Sequence, residues 1–397
     1  MTVLHRWTGL ALALFLAIVA LTGSLLAFRN RIDRLVNPGF HVQPLPGQHV
    51  LDLAVLAERV EAEMPHARVA YFTVDPDQAL VHLAGRFDSA TGKPWPVPDL
   101  PLVLNPYTAE RLHPGPPSDP LRRPIDLMGF IYALHTSLAT RTEWGWTLVG
   151  VVALLWTIDS FVALVVTLPR SVGPFWPRWR QAWKIKLGAS ARRLHFDLHR
   201  AGGLWLWPFL VVFGWSSVML GLNSVYEPVM TSLFDYGSGG DGITSLMLAT
   251  PLERPKLSWR EAQAIGEQAM ARLAAEHHFR IERPYGLAYV AEYGGYTYAV
   301  RSSLDLRGHG WDTTVLIDGV SGELRRVDLP RGAHTGDTIS TLLWGIHYGD
   351  LRDWLPFRVF VCLFGLFLAA IAYTGIAMWW YRIHPPRRAR AASAASS

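Results

Sequence analysis

The hydrophobic positions of this chain gather into four runs separated by long polar stretches. Leu10–Phe28, Leu148–Leu168, Leu204–Leu222 and Val359–Tyr381 are each about 20 residues, enough to cross a hydrocarbon layer of roughly 30 Å as a helix. The first run is too long for the core of a secretory signal. Gly23-Ser24-Leu25-Leu26 also offers no small-x-small cleavage site, so the run reads as an anchor. Between the runs the period changes. Leu53, Leu56, Val60 and Met64 share one helical face, and Pro65 ends that helix. Val69–Val74 and Ala79–Ala84 then read as strands about an Asp75-Pro76-Asp77 turn, with Leu102–Asn105 a third. The second polar stretch follows the same plan. A helix capped by Ser258, with Glu261 as its capping-box partner, runs to Glu276. Strands follow at Gly286–Glu292, Tyr296–Ser302, Thr313–Asp318 and Glu323–Val327. Pro94–Pro101 and Pro114–Pro124 read as connectors.

Short polar motifs repeat in the same order as this pattern. Leu4-His5-Arg6-Trp7-Thr8-Gly9 opens the first run, and Leu198-His199-Arg200-Ala201-Gly202-Gly203 opens the third. Leu134-His135-Thr136 precedes the second run, and Ile346-His347-Tyr348-Gly349 precedes the fourth. The chain therefore reads as two tandem halves, each a span, a small α+β segment, a histidine-bearing helix and a span. Such halves would be related by a pseudo-two-fold axis along the membrane normal.

Charge adds an orientation. Seven Lys or Arg and no acid lie between Arg170 and Phe196, and Arg382, Arg387, Arg388 and Arg390 follow the last run, again without acids. By the positive-inside rule the N-terminus, the 169–197 loop and the tail are expected to be cytoplasmic, with both long polar stretches on the other side. Bases placed beside membrane spans report topology, so no nucleic-acid partner is expected. The single cysteine, Cys362, lies inside the fourth run, which excludes a disulfide framework or a thiolate metal site within one chain.

The repeated histidines carry the candidate chemistry. His5 with His199, and His135 with His347, could form two bis-imidazole sites, one near each face of the bilayer. A haem takes axial nitrogen donors, and its propionates need cations, which Arg6 and Arg200 could supply. The alternative is that these histidines only anchor helix ends or pack; their occurrence at matching positions favours ligation. Asp159, deep in the second run, is costly there and is a candidate proton relay or ligand partner, or a protonated structural residue. Trp205, Trp207, Trp215 and Trp344 could line the path between the sites or could be interfacial and packing aromatics. His195, His334 and His384 lack counterparts in the other half, His277-His278 end a soluble helix and read as solvated, and Arg358 reads as a snorkelling anchor. Gly237-Ser238-Gly239-Gly240 is a loop and not a dinucleotide fingerprint. No Walker, His-Glu-x-x-His or nucleophile-elbow motif is present, so electrons would have to come from another protein, a quinol or a small reductant.

With Leu21-Thr22-Gly23, the Leu4–Gly9 motif resembles the first span of PepSY-associated transmembrane proteins. Leu198-His199-Arg200, Ile346-His347-x-Gly349 and Thr374-Gly375-Ile376-Ala377-Met378-Trp379-Trp380 are similar to later elements of that family. Val315–Glu323 resembles the closing strand-turn of a PepSY domain, and Leu104–Glu110 resembles the same element with Ala109 in place of glycine. The second span departs from the pattern, ending Val165-Val166-Thr167-Leu168-Pro169.

The resemblance implies a bacterial inner-membrane protein: a four-helix membrane α-helical bundle in two tandem repeats with two small α+β PepSY-like periplasmic domains. The expected division is 1–28 span one, 29–124 first PepSY-like domain, 125–168 histidine helix and span two, and 169–197 basic loop. It continues with 198–222 span three, 223–333 second PepSY-like domain, 334–381 histidine helix and span four, and 382–397 basic tail. Some members are haem b siderophore reductases. That implies two haems held by His5, His199, His135 and His347, and electrons passed across the membrane to a periplasmic ferric siderophore. Tyr289, Tyr293, Tyr296 and Tyr298 are candidates to line the acceptor site or to pack in the fold, with Tyr293 and Tyr296 preferred. A haem-free accessory or regulatory protein and a proton-coupled transporter subunit are the alternatives.

Overall fold

The computed structural model describes residues 1–44, 47–88, 90–98, 100–113, 126–170, 172–237 and 246–384. The Pro114–Pro124 connector, Ser238-Gly239-Gly240 and the basic tail beyond His384 lie outside the described residues. The chain divides into two compact units. One comprises 1–29, 127–230 and 343 onward; the other comprises 30–126 and 231–342.

In chain order the helices are α1 (Thr2–Leu26), α2 (Arg29–Val36), α3 (Leu53–Glu63), α4 (Leu127–Ser137), α5 (Glu143–Thr167), α6 (Phe175–Trp179), α7 (Ala191–Gly221), α8 (Asn223–Leu233), α9 (Trp259–Glu276), α10 (Thr335–Tyr348) and α11 (Leu355–Ile383). Helices α1, α5, α7 and α11 are long and apolar enough to cross a membrane. The 25 residues of α1 rise about 37 Å. Helix α1 packs on α11, α4 and α5, while α7 packs on α5 and α11. Helices α1 and α7 begin well before the apolar runs they contain, so His5, His195 and His199 are helical and not in flanking loops.

These helices meet through small residues. A Cβ on Gly150 of α5 would lie 2.4 Å from the Gly221 carbonyl oxygen of α7, and one on Gly214 would lie 2.6 Å from Thr157 Oγ1. On the other side of the bundle, a Cβ on Gly365 of α11 would lie 2.2 Å from Ser24 Oγ. The Ser24 hydroxyl accordingly donates across to the Cys362 carbonyl at 3.0 Å as well as to Ala20. Apolar side chains gain little by associating inside lipid, so close backbone approach and hydrogen bonds between helices hold such a bundle.

The two polar stretches do not form separate domains, which corrects the expectation of two. Strands β1 (Ala67–Asp75), β2 (Gln78–Gly85) and β5 (Leu102–Leu104) come from the first stretch. Strands β6 (Ile281–Val290), β7 (Gly295–Ser302), β8 (Thr313–Asp318) and β9 (Leu324–Asp328) come from the second. All seven lie in one antiparallel sheet of order β5-β2-β1-β6-β7-β8-β9. Strands β3 (Phe87–Asp88) and β4 (Lys93–Pro94) make a separate small hairpin. The join is β1 on β6, with Tyr71, Phe72 and Thr73 opposite Ala288, Leu287 and Gly286. Gly286 is a glycine for a local reason: a Cβ there would lie 2.6 Å from the Phe72 carbonyl oxygen and 2.8 Å from Trp311. The two helices are tied as well. Gln263 of α9 accepts from the Ala54 N–H in the first turn of α3 at 2.7 Å, and Arg260 pairs with Glu58 at 2.7 Å. One apolar core, including Leu56, Val69, Phe72, Leu287, Tyr298 and Ile317, therefore draws on both stretches. Each such side chain contributes about 1.5–3 kcal/mol by burial.

Outside that core, His41 sits between two carboxylates. Its Nδ1 lies 2.9 Å from Asp77, its Nε2 lies 3.6 Å from Asp33, and Arg34 also pairs with Asp77 at 2.8 Å. Burial alone would lower the imidazole pKa, but the Asp33 and Asp77 carboxylates outweigh it and raise it to about 9. Burial alone would raise the Asp77 carboxyl, but His41 and Arg34 hold it below its ordinary value. The His41 contribution is thus fully present below pH 6.5, its ordinary value, and is lost as pH rises through about 9. His41→Gln is expected to lower the thermal midpoint of the detergent-solubilised chain clearly at pH 6 and hardly at all at pH 10. The free-energy gap at the lower pH should be on the order of 2–3 kcal/mol. Calorimetry at the two pH values checks this; a gap independent of pH would show that the cluster is not ionised as described.

Candidate functional site

The four repeated histidines meet in two pairs. His5 on α1 and His199 on α7 have ring centroids 6.1 Å apart, and His135 on α4 and His347 on α10 have theirs 6.2 Å apart. Along α1, 17 residues separate His5 from Thr22, which touches His135, so the pairs lie about 25 Å apart along the helix.

The proton positions follow from the partners. His5 Nδ1 lies 2.9 Å from Asp159 Oδ2, a carboxylate that can only accept when ionised. His199 Nδ1 donates to the Ile371 carbonyl at 3.0 Å and also reaches Thr374 Oγ1 at 3.2 Å. Thr374 in turn gives its hydroxyl proton to Ile371. His135 Nδ1 lies 3.0 Å from Thr22 Oγ1, whose own proton goes to the Ile18 carbonyl at 2.7 Å. His347 Nδ1 lies 2.9 Å from Ser216 Oγ, whose proton goes to the Phe213 carbonyl at 3.1 Å. In each ring Nδ1–H is the donor, which leaves Nε2 as a bare lone pair. No hydrogen bond to any of the four Nε2 atoms is present among the described residues. Each pair therefore sets two unprotonated Nε2 donors on rings whose centroids are 6.1 Å or 6.2 Å apart, a donor set suited to one shared cation. Holding one ring nitrogen by a hydrogen bond so that the other faces a metal is the usual outer support of a ligating histidine.

The spacing and the surroundings fit an iron porphyrin. Two imidazoles each bound to one metal at about 2.0–2.1 Å place their ring centroids about 6 Å apart, the separation seen in both pairs. A planar macrocycle also needs flat space beside the rings. Gly9 and Gly203 stand one turn beyond His5 and His199 on the same helix faces. A Cβ on either would meet nothing within 4 Å. Gly23 and Gly375 serve differently: a Cβ on Gly23 would lie 3.1 Å from His135 Cε1, and one on Gly375 3.2 Å from His199 Cε1. They let the rings seat against α1 and α11. The Thr-Gly steps at 22–23 and 374–375 therefore combine a hydrogen-bond acceptor with the gap that admits an imidazole. Ser216 carried no motif in the sequence, yet it follows His199 by the same 17 residues that separate Thr22 from His5.

The remaining candidates divide. Asp159 is buried against His5, and its Oδ1 has no hydrogen-bond partner. Arg6 lies 5.4 Å over the Trp7 ring, and its buried Nε has no hydrogen-bond partner among the described residues. Arg200 is already engaged: it pairs with the fully buried Asp197 at 2.9 Å and donates to the carbonyls of Gln181 and Ala182. It fastens the basic loop to α7, so a propionate would have to displace these contacts. Tyr296, together with Tyr289 and Tyr298, is corrected from the acceptor-site role. These rings lie in the core of the sheet unit: Tyr289 and Tyr296 are cross-strand partners and Tyr298 stands two residues on, so all three share the face that packs under α9, and the Tyr296 hydroxyl donates to the Leu257 carbonyl at 2.8 Å. Tyr293 stands in the β6–β7 turn, half-buried. Trp205 and Trp344 are exposed, whereas Trp156, passed over in the sequence, is buried with Phe213 and Phe364 in the middle of the bundle. Arg358 is no snorkelling anchor; it is buried and paired with Asp350 at 2.9 Å and with Asp353.

A family model described as the PepSY-associated TM region matches residues 2–382. No curated protein matches the chain.

Proposed function

The chain belongs to the PepSY-associated transmembrane family, and from that premise we propose that it is a di-haem b reductase carrying electrons across the bacterial inner membrane to a periplasmic ferric siderophore. The observation that supports this most directly is the set of four imidazoles, each held at Nδ1 with Nε2 left free of hydrogen bonds among the described residues, standing in two pairs with ring centroids 6.1 Å and 6.2 Å apart. Bound there, haem iron would take up and release one electron at a time. The residues of the chain supply the rest. His5 and His199 would hold one iron, and His135 and His347 the other. Asp159, Ile371, Thr22 and Ser216 orient them, and Arg6 is placed for a propionate.

Topology supports the direction. Strands from both inter-span stretches hydrogen-bond in one sheet, which favours putting both stretches on the same side of the membrane. The N-terminus and the 169–197 loop then lie on the other, and their excess of bases favours the cytoplasm. Electrons from a quinol, a reductase or a small reductant would enter at the His5/His199 pair and leave at the His135/His347 pair. The substrate chemistry is a one-electron reduction: oxygen-donor siderophores hold hard Fe(III) far more strongly than Fe(II), so reduction releases the metal. The spacings shared by the two halves support an origin by duplication.

An absorption spectrum of the detergent-purified chain tests this, recorded oxidised and then dithionite-reduced, with haem quantified per chain. Two b-type haems with sharp low-spin reduced bands are expected, followed by reoxidation on adding a ferric siderophore. A haem-free chain from cells with ample haem would overturn the reading in favour of an accessory role. Haem that is not reoxidised, with proton-coupled uptake instead, would favour a transporter subunit.

A further inference from the structure

The two histidine pairs are alike in spacing but differ in charge. In the second pair both Nδ1–H groups rest on neutral hydroxyls, Thr22 and Ser216. In the first pair His199 rests on a carbonyl and a hydroxyl, while His5 rests on the carboxylate of Asp159. Asp159 is 8% exposed, no Lys or Arg among the described residues pairs with it, and its second oxygen has no hydrogen-bond partner there. It therefore stands as a buried carboxylate whose one polar contact among the described residues is an imidazole.

Resting on the haem reading above, we propose that Asp159 makes the His5/His199 site the low-potential member of the pair, so that electrons run downhill from it to the His135/His347 site. Two effects act in the same direction. A carboxylate accepting the Nδ1 proton makes the imidazole a stronger electron donor to the metal bound at Nε2. A negative charge in a water-poor bundle also favours the more positive, ferric state of a nearby iron, with little screening. The second site has neither effect. Asp159 touches neither haem nor substrate in this account; it is a positioning residue that acts through His5. The polarity of the protein would then reside in one residue of an otherwise repeated framework. Thr374, on the other helix that supports the first pair, offers a hydroxyl where α5 offers the carboxylate.

The test is a spectroelectrochemical titration of the full-length haem-loaded protein in detergent. The His347→Ala protein, which keeps only the first pair intact, assigns the two midpoints. Asp159→Asn keeps an acceptor for His5 but removes the charge, and is expected to raise the first-site midpoint by a factor of ten or more in the redox equilibrium, about 59 mV, with the second unmoved. Ser216→Asp places a carboxylate against His347 and is expected to lower the second-site midpoint by a similar factor. Two bound haems with unmoved midpoints in Asp159→Asn would overturn this proposal alone. If Asp159→Asn fails to hold its first haem, an unmoved second midpoint in Ser216→Asp would overturn it equally. A wild-type chain without haem would overturn the reading beneath it and the proposal together.

Discussion

Alanine in place of His347 is expected to cut the haem content from two per chain to one and to bring ferric-siderophore reduction down to background. The imidazole it removes is half of the second pair; of the neighbouring rings, Phe213 at 5.9 Å has no donor atom and Tyr348 at 6.0 Å is stacked on Trp344. The first pair should survive. It lies about 25 Å away along α1, shares no hydrogen-bond partner with the second, and substitutions so separated act independently. Dithionite should therefore still reduce one low-spin haem in the variant, and the donor should still deliver an electron to it, while transfer onward to the siderophore stops. Exogenous imidazole, small enough to enter the space left by the ring, should restore part of the second haem. Haem quantitation with and without imidazole makes the measurement. If both haems were lost, His347 would be supporting the bundle as a whole; if both were retained, His347 would not be a ligand.

The parts of this molecule that depend on local pattern are legible in the sequence. Four apolar runs became four long helices, and the capping box at Ser258 and Glu261 formed as written. The four histidines were legible through repetition, and their pairing followed from placing one at each end of each half. What was hidden depended on contacts remote in sequence. Nothing local says that Tyr71 should pair with Ala288; a half-sheet with one open edge and a sheet continued by its counterpart have the same periodicity. The tyrosines misled for a related reason: alternation puts Tyr289, Tyr296 and Tyr298 on one face, and only the packing of α9 makes that face the buried one. The supports of the histidines were hidden differently. Thr22, Ser216 and Thr374 are ordinary hydroxyls in membrane helices, where such residues usually bond to their own backbone. Here they do so while accepting from an imidazole as well. Asp159 stood out because a carboxylate in a span is costly, but its partner, His5, is 154 residues away.

The glycines yield the second large expectation, because two kinds can be told apart by what a side chain there would meet. Gly150 lies where α5 and α7 cross backbone to backbone, with the Gly221 carbonyl oxygen 2.4 Å and its carbon 2.5 Å from the position of a Cβ. No rotamer change relieves contacts with main-chain atoms, so Gly150→Leu must push the helices apart. Helix α5 carries Asp159, and α7 carries both His199 and Ser216, so the displacement reaches both sites. Overpacking costs about 1–3 kcal/mol where side chains can yield. Here the upper end is expected, seen as a thermal midpoint lower by roughly 5–10 °C and weakened retention of both haems. Gly9→Leu should show the opposite profile. A Cβ there meets nothing within 4 Å, so the haem-free bundle should keep its thermal midpoint. The leucine would instead fill the space beside His5, so haem should be lost from the first site alone. Melting curves of the two variants, each with and without haem, separate a helix contact from a cofactor cradle. If Gly9→Leu kept both haems, the open space beside His5 and His199 would not be where a macrocycle lies.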